Sequence, residues 1–485
     1  MPRVTALFCL LAVPMCAQEQ SVGSITQTGN CMAAEVQGNV TLNCTGLSPE
    51  LTRLLTDQYN ALHRSADEAR EEANKWSERY FALSSRVADS GATGTVRKRI
   101  DEAIKSGKLD EASRLLDELL LSDDSEVDRI ARDQFNAGTV YDLRFQPSEA
   151  LPHYEKAWRY QPSNVEYGHD YGELLYRQRD YRNAERVLNQ VVLVGERATE
   201  DSQLQETAQA FEILGVIYSD THRASESSDA YRHGLQVVEK IKDRHLLLTI
   251  KARMLNHIGV LDWRGGRLDD AIVTYRNVVA VFEELSVTTS MGAYVPTIAA
   301  VMNNLGIVYQ SAGQFDKALT EHTNALLIRR DIARRYPQEY MAEVAESLNN
   351  RGMVYRDMKR LKEAEVDLEE ARQIRTQLAS MNPQAYLPTL ANTLNNLGMA
   401  EKDDQQIGAA EEHLLAALDL REHFVKDQPE LYRGEVSKTI LVLVALYHDS
   451  NQVSKTKGLC RKAMELRQFA DAEVRRETES FCQVN

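Results

Sequence analysis

Tyr294, Tyr340, Tyr386 and Tyr432 recur every 46 residues, and Arg329, Arg375, Arg421 and Arg467 keep the same step. Between them, Asn303-Asn304-Leu305-Gly306 returns as Asn349-Asn350-Arg351-Gly352 and Asn395-Asn396-Leu397-Gly398. A fixed period of this size constrains the chain to a stack of like units. Each unit leaves an apolar face that only the next one covers. A chain of 485 residues is too long for one compact core, whereas a stack grows by addition.

The glycine extends upstream as Gly138, Gly172, Gly215 and Gly259 before Gly306, Gly352 and Gly398, in steps of 34, 43, 44, 47, 46 and 46 residues. A large residue usually follows three positions later (Tyr141, Leu175, Tyr218, Tyr309, Tyr355). Twelve positions on comes a small one: Ala150, Ala184, Ser227, Ala271, Ala318, Ala364, Ala410. Four further on is a bulky one: Tyr154, Leu188, Tyr231, Tyr275, His322, Leu368, Leu414. Offsets of three, four and seven share one helical face. Small residues let two helices approach, and bulky ones fill the gaps between them.

The unit containing Gly138, Tyr141, Ala150, Tyr154, Ala157 and Pro162 resembles the tetratricopeptide repeat, and the resemblance covers roughly residues 95–468. The later block, with Leu-Asn-Asn at 348–350 and 394–396, resembles the longer repeats of kinesin light chain and many bacterial proteins. Weaker end units carry Ala112, Leu116 and Leu119, and Tyr447, Cys460 and Ala463, with Val444 in the glycine's place. The resemblance implies an all-α fold, a right-handed superhelical solenoid of about 8–9 helix pairs, with a capping helix at 469–485.

Residues 1–17 read as a secretory signal: Arg3, an apolar run from Val4 to Val13, then Pro14 and a cleavage point after Ala17. The run is too short to span a bilayer, and no other segment reads as membrane-spanning. Val13-Pro14-Met15-Cys16 is a weak lipoprotein match, leaving anchoring as the alternative to a periplasmic or secreted protein. Beyond the signal, Cys31, Cys44, Cys460 and Cys482 remain, with three possible connectivities. Closeness in sequence favours Cys31–Cys44 and Cys460–Cys482; the competing reading of Cys460 is a packed thiol. Residues 18–48 hold β-prone runs at Ser24–Thr28 and Asn39–Asn43, similar to a short strand segment ahead of helical regions in exported bacterial proteins.

In residues 49–88, Tyr59, Ala66, Ala73, Tyr80 and Val87 interleave with Leu55, Leu62, Ala69, Trp76 and Leu83 as the seam of a coiled coil. Residues 50–88 therefore either pair two copies of the chain or form one long helix folded back on the first repeats. A linker at 89–94 separates them from the solenoid.

A net charge of −15 disfavours nucleic acid, and the densest cations, Arg329, Arg330, Arg334 and Arg335, sit at a helix end where the dipole favours them. No metalloprotease, phosphate-loop or nucleophile-elbow motif occurs. His322 and His413 read as packing residues, and neither a metal nor a cofactor is expected. The expected role is non-catalytic: a protein or extended peptide held in the concave groove. The alternative is a regulatory or targeting subunit of an envelope enzyme complex acting on polysaccharide or peptidoglycan.

Three residues before the glycine stand Asn256, Asn303, Asn349 and Asn395, a row of amides able to donate to and accept from a peptide backbone. Proteins of similar sequence use groove-facing asparagines in this way. Asn304, Asn350 and Asn396 match the pattern equally well. Val260, Ile307, Met353 and Met399 would form an apolar floor, with Trp263, Gln310, Arg356 and Lys402 at its edge.

Overall fold

The computed structural model describes residues 31–36, 39–62, 66–89, 95–122, 127–288, 294–426 and 429–466, with single helical positions at 475, 476, 479 and 482. The expected signal, the run Ser24–Thr28, most of the linker, Arg467 and nearly all of the C-terminal cap lie outside them. A hairpin of β1 (Cys31–Val36) and β2 (Asn39–Cys44) leads into α1 (Pro49–Ala61) and α2 (Ala66–Asp89). Nine helical hairpins follow among the described residues: α3 (Thr95–Lys105) with α4 (Leu109–Ser122), α5 (Val127–Leu143) with α6 (Pro147–Tyr160), α7 (Val165–Arg177) with α8 (Tyr181–Gly195), α9 (Asp201–Asp220) with α10 (Ala224–Val238), and α11 (Arg244–Arg264) with α12 (Leu268–Thr288). The regular block adds α13 (Val295–Ser311) with α14 (Phe315–Arg335), α15 (Pro337–Asp357) with α16 (Leu361–Met381), α17 (Pro383–Asp403) with α18 (Ile407–Val425), and α19 (Pro429–Asp449) with α20 (Thr456–Leu466). The fold is an all-α repeat stack, as the period requires.

The register glycine does one thing in every unit: it lets the second helix lay its bulky residue directly on the backbone of the first. A Cβ on Gly138, Gly172, Gly215, Gly259, Gly306, Gly352 or Gly398 would stand 2.5–2.8 Å from Tyr154, Leu188, Tyr231, Tyr275, His322, Leu368 or Leu414, respectively. No real contact is that short, so the seven glycines set the interhelical distance. Leu414, not His413, fills the last of these places; His413 instead meets Glu401 at 2.8 Å. Seven residues after each glycine the chain turns through a left-handed residue: Phe145, Arg179, His222, Gly266, Gly313, Lys359 or Gln405, with φ of 56–74°. That geometry ends a helix by capping its last carbonyls. Pro337, Pro383 and Pro429 begin the first helices of the last three units, where a missing N–H costs nothing.

Early units are shorter because their helices are: α6 to α8 have 13–15 residues, whereas α14 to α17 have 21. The added turn carries the periodic arginine inward. Arg329 donates to the Glu343 carbonyl and the Ser347 hydroxyl; Arg375 to Thr389 and Thr393; Arg421 to Glu435 and Thr439. All three arginines are buried, and each joins a second helix to the next unit's first. The arginines of the 329–335 cluster are likewise engaged, with Arg330 on Glu370 at 2.6 Å and Arg334 and Arg335 on Asp331.

The 50–88 segment differs from a continuous coiled-coil stalk. α1 and α2 are separate helices, and the seam residues Leu55, Tyr59, Ala69, Ala73, Trp76, Tyr80 and Leu83 are buried within one chain. They pack with Val40 and Leu42 of β2, Ile104 of α3, Leu115 of α4 and Val140 of α5. Two specific bonds hold this cap on the stack: Trp76 Nε1 donates to the Leu143 carbonyl at 2.8 Å, and the Tyr80 hydroxyl to the Ile104 carbonyl at 2.8 Å. The Asn60 amide bonds both backbone groups of Val40, and the Asn74 amide oxygen accepts from Cys31 N–H. The partner of Asn39–Cys44 is Cys31–Val36, a strand the β-prone pattern did not single out, and the register sets Cys31 opposite Cys44. These two cysteines are disulfide-bonded, as are Cys460 and Cys482.

His322 generates a testable consequence. Burial, with Arg329 and Arg351 nearby, lowers its pKa to about 3, so the folded chain holds it neutral. The unfolded chain takes up a proton near pH 6.5, so stability from this group is complete above that pH and is lost as pH falls toward 3. The slope is about 1.4 kcal/mol per pH unit. His322→Leu, copying Leu368 and Leu414, should flatten the decline of denaturant-measured stability between pH 6 and 4. An unchanged slope would assign acid sensitivity elsewhere.

Candidate functional site

The first helices of the hairpins form one continuous inner face, and α2 lies against it. Arg79 of α2 reaches Asp142 of α5 at 2.6 Å and Glu173 of α7 at 2.5 Å. Glu78 feels the charge of Arg253 on α11, and the Arg70 guanidinium stands 5.0 Å from the Tyr340 ring of α15. Helices pack about 8–10 Å apart, so five steps along a flat row would separate α5 from α15 by about 40–50 Å. A helix of 24 residues is about 36 Å long. The row therefore curves around α2.

Toward this face the early units present paired charges. Asp142 is shared by Arg79 and Arg177, both at 2.6 Å. Burial would raise the Glu173 carboxyl, but Arg79 and Arg177 pull it down to about 2. Glu212 is held at about 2 in the same way, against burial, by Arg253 at 2.7 Å and His257 at 3.3 Å. His169, though buried, is pushed well above its usual pKa by Glu206 at 2.7 Å and by Asp170. Ligand-type atoms of His169, Asp170 and Glu173 lie within 4.8 Å of one another, but the cations already meeting these acids make the cluster an ion network rather than a metal cradle. Glu78 is the contrast: burial outweighs Arg253 and lifts its carboxyl to about 7. His169 and Glu212 stand three residues before Gly172 and Gly215. Running the asparagine register two units upstream would have found both.

The expected asparagine rungs are placed otherwise. Asn256, Asn303, Asn349 and Asn395 are all buried. Asn350 Nδ2 donates to Asn303 Oδ1 at 3.1 Å, and Asn396 Nδ2 to Asn349 Oδ1 at 3.1 Å. The double-asparagine motif is thus a splice: the second amide of one unit bonds the first amide of the unit before. Asn303 also meets His322 Nδ1, and Asn349 accepts from Thr393. Arg421 lies 3.5 Å from Asn395 Oδ1. Helix-face geometry pointed these amides correctly, but the curvature of the row closes successive first helices over them.

The expected groove edge is spliced too. Gln310 donates to Asp357 at 2.7 Å, Arg356 to Asp403 at 3.0 Å, and Lys402 pairs with Asp449 at 2.7 Å, each 47 residues on. Trp263 Nε1 donates to Ser311 Oγ at 3.0 Å. Met353 and Met399 pack together beside Val442, and Ile307 is buried, while Val260 stays half-buried. Of the apolar floor, Val260 keeps the best access. Asn349→Ala should accordingly act on stability. It strands the Asn396 amide and one bond of Thr393, costing about 1–3 kcal/mol in equilibrium unfolding. A loss below about 0.3 kcal/mol would restore the ligand-rung reading.

Residues 297–377 and 390–430 match two family models, each described as a tetratricopeptide repeat. No curated protein matches the chain. Among solved structures, the chain is similar to BtubC (BKLC) from P. vanneervenii at 19% identity and a TM-score of 0.39, with 53% of this chain and 93% of that one covered. It is also similar to the apo form of RapI, at 12% identity and a TM-score of 0.46, covering 63% and 98%. A tetratricopeptide repeat protein from Parabacteroides merdae gives 14% identity and a TM-score of 0.36, covering 63% and 99%. The two matched segments and the glycine register common to seven hairpins make this chain a tetratricopeptide repeat protein.

Proposed function

We propose that the chain is a non-catalytic scaffold that holds a protein partner on the inner face of its hairpin row. The observation that carries this reading is the seating of α2: the face already receives a polypeptide helix through ion pairs to α5 and α7. A wall of paired charges flanked by half-buried apolar residues suits a protein surface, because each buried ion keeps its counter-ion when a neighbour covers it. Tetratricopeptide repeats generally serve as such scaffolds. The asparagines and the Gln310, Arg356 and Lys402 row shape this face from within; His169, Glu212, Arg253, His257 and Val260 line it.

A photo-crosslinking side chain placed at Val260 should capture the partner from whole-cell extract. The same group at Val273, exposed on α12, should not. Capture through Val273 alone would overturn the inner-face reading. An orientation check is available because Arg253, His257 and Val260 share one face of α11.

The compartment belongs to the same proposal. The signal-like residues 1–17 and two cysteine pairs suit a protein working outside the cytoplasm, in the periplasm or secreted. Protein recovered from that compartment should begin near Gln18 and show no reactive thiol at Cys31, Cys44, Cys460 or Cys482. An unprocessed chain with free thiols, found in the cytoplasm, would sink the export reading.

A further inference from the structure

We propose that the N-terminal cap, β1–β2 with α1 and α2, is a reversible clasp: it is fixed to the first hairpins, closes across the inner face onto α15, and so controls entry to that face. The proposal rests on the inner face being the binding surface.

The two sides of the cap are unequal. On the side of α3 to α5, Trp76, Tyr80 and Leu83 are buried in an apolar cluster and two side chains bond backbone carbonyls. Buried apolar area and satisfied polar groups make this side permanent. The side facing α15 is different in kind. Its named side-chain contact is the Arg70 guanidinium over the Tyr340 ring, supplemented by the approach of β1 and α2 to that helix. A cation–π contact of this sort is weak beside a packed core.

The span between the two attachments is flexible by design. α15 begins the fifth hairpin beyond the one that starts at α5, and each hairpin of a solenoid touches mainly its neighbours. A small rotation at each interface accumulates over five steps, so α15 can part from the cap without breaking any single hairpin. The hairpin that presents β1 is held rigid by Cys31–Cys44 and by Asn74 of α2. A stiff arm on one side and a compliant row on the other is the arrangement of a clasp. When it is closed, α2 covers Asp142, Glu173 and the surroundings of Arg253. When α15 swings away, the face between α7 and α13 widens toward solvent.

Spin labels at Leu62→Cys and Tyr336→Cys, both exposed positions, read the gap in the full mature chain without any partner. The closed clasp gives one short, narrow distance distribution. Arg70→Glu, and separately Cys31→Ser with Cys44→Ser, should each add a longer population amounting to at least a fifth of the molecules, with helical circular dichroism unchanged. One identical narrow distribution in all three chains would overturn the clasp, as would a long distance in the wild type. Because no partner is present, this result is independent of whether the inner face binds protein. The gate itself is read with a short bifunctional maleimide bridging Arg70→Cys and Tyr340→Cys. Bridging should reduce crosslinking through Val260 at least tenfold; equal yields with and without the bridge would refute control of entry.

Discussion

The fold hangs on one contact, a bulky side chain of each second helix resting on the backbone of a glycine in the first. Seven such contacts, with the would-be Cβ at 2.5–2.8 Å, set the spacing inside the hairpins from Gly138 to Gly398. Everything else accommodates to that spacing. The bulky residue is Tyr, Leu or His without change of geometry, since the position demands volume rather than chemistry. His322 shows the limit: the site accepts an imidazole only by holding it neutral.

Between hairpins the chain uses polar splices rather than more apolar area. The arginine near the end of each long second helix, the asparagine pair and the Gln310–Asp357, Arg356–Asp403 and Lys402–Asp449 series all run from one unit to the next. Each satisfies a buried donor or acceptor only when the next unit sits in register. Such bonds specify alignment more than they add stability. Early units lack the asparagine pair and place ionised groups there instead, so the same inner face changes from charged to amide along the row.

Much of this was legible in advance. The period, the helix offsets and the small-against-large pattern follow from helix geometry alone, and the glycine contacts are their direct consequence. The asparagines were read as rungs for a ligand because helical phase directs them inward; phase cannot say how far one helix stands from the next. The heptad in residues 50–88 identified an apolar seam correctly, yet whether a seam meets a second chain or its own is a question of topology. Leu62 shows it, since it occupies a seam position and is exposed where the helix breaks.

By itself, then, the sequence determined the repeating unit, its helical hairpin, and which residues pack inside it, because those depend on separations of under about 20 residues along one helix or across one turn. Tertiary structure alone decided the curvature of the row, the burial of the amides, and the seating of the N-terminal cap against helices far away in sequence. Curvature is the sum of small rotations at many interfaces, and no local pattern records a sum.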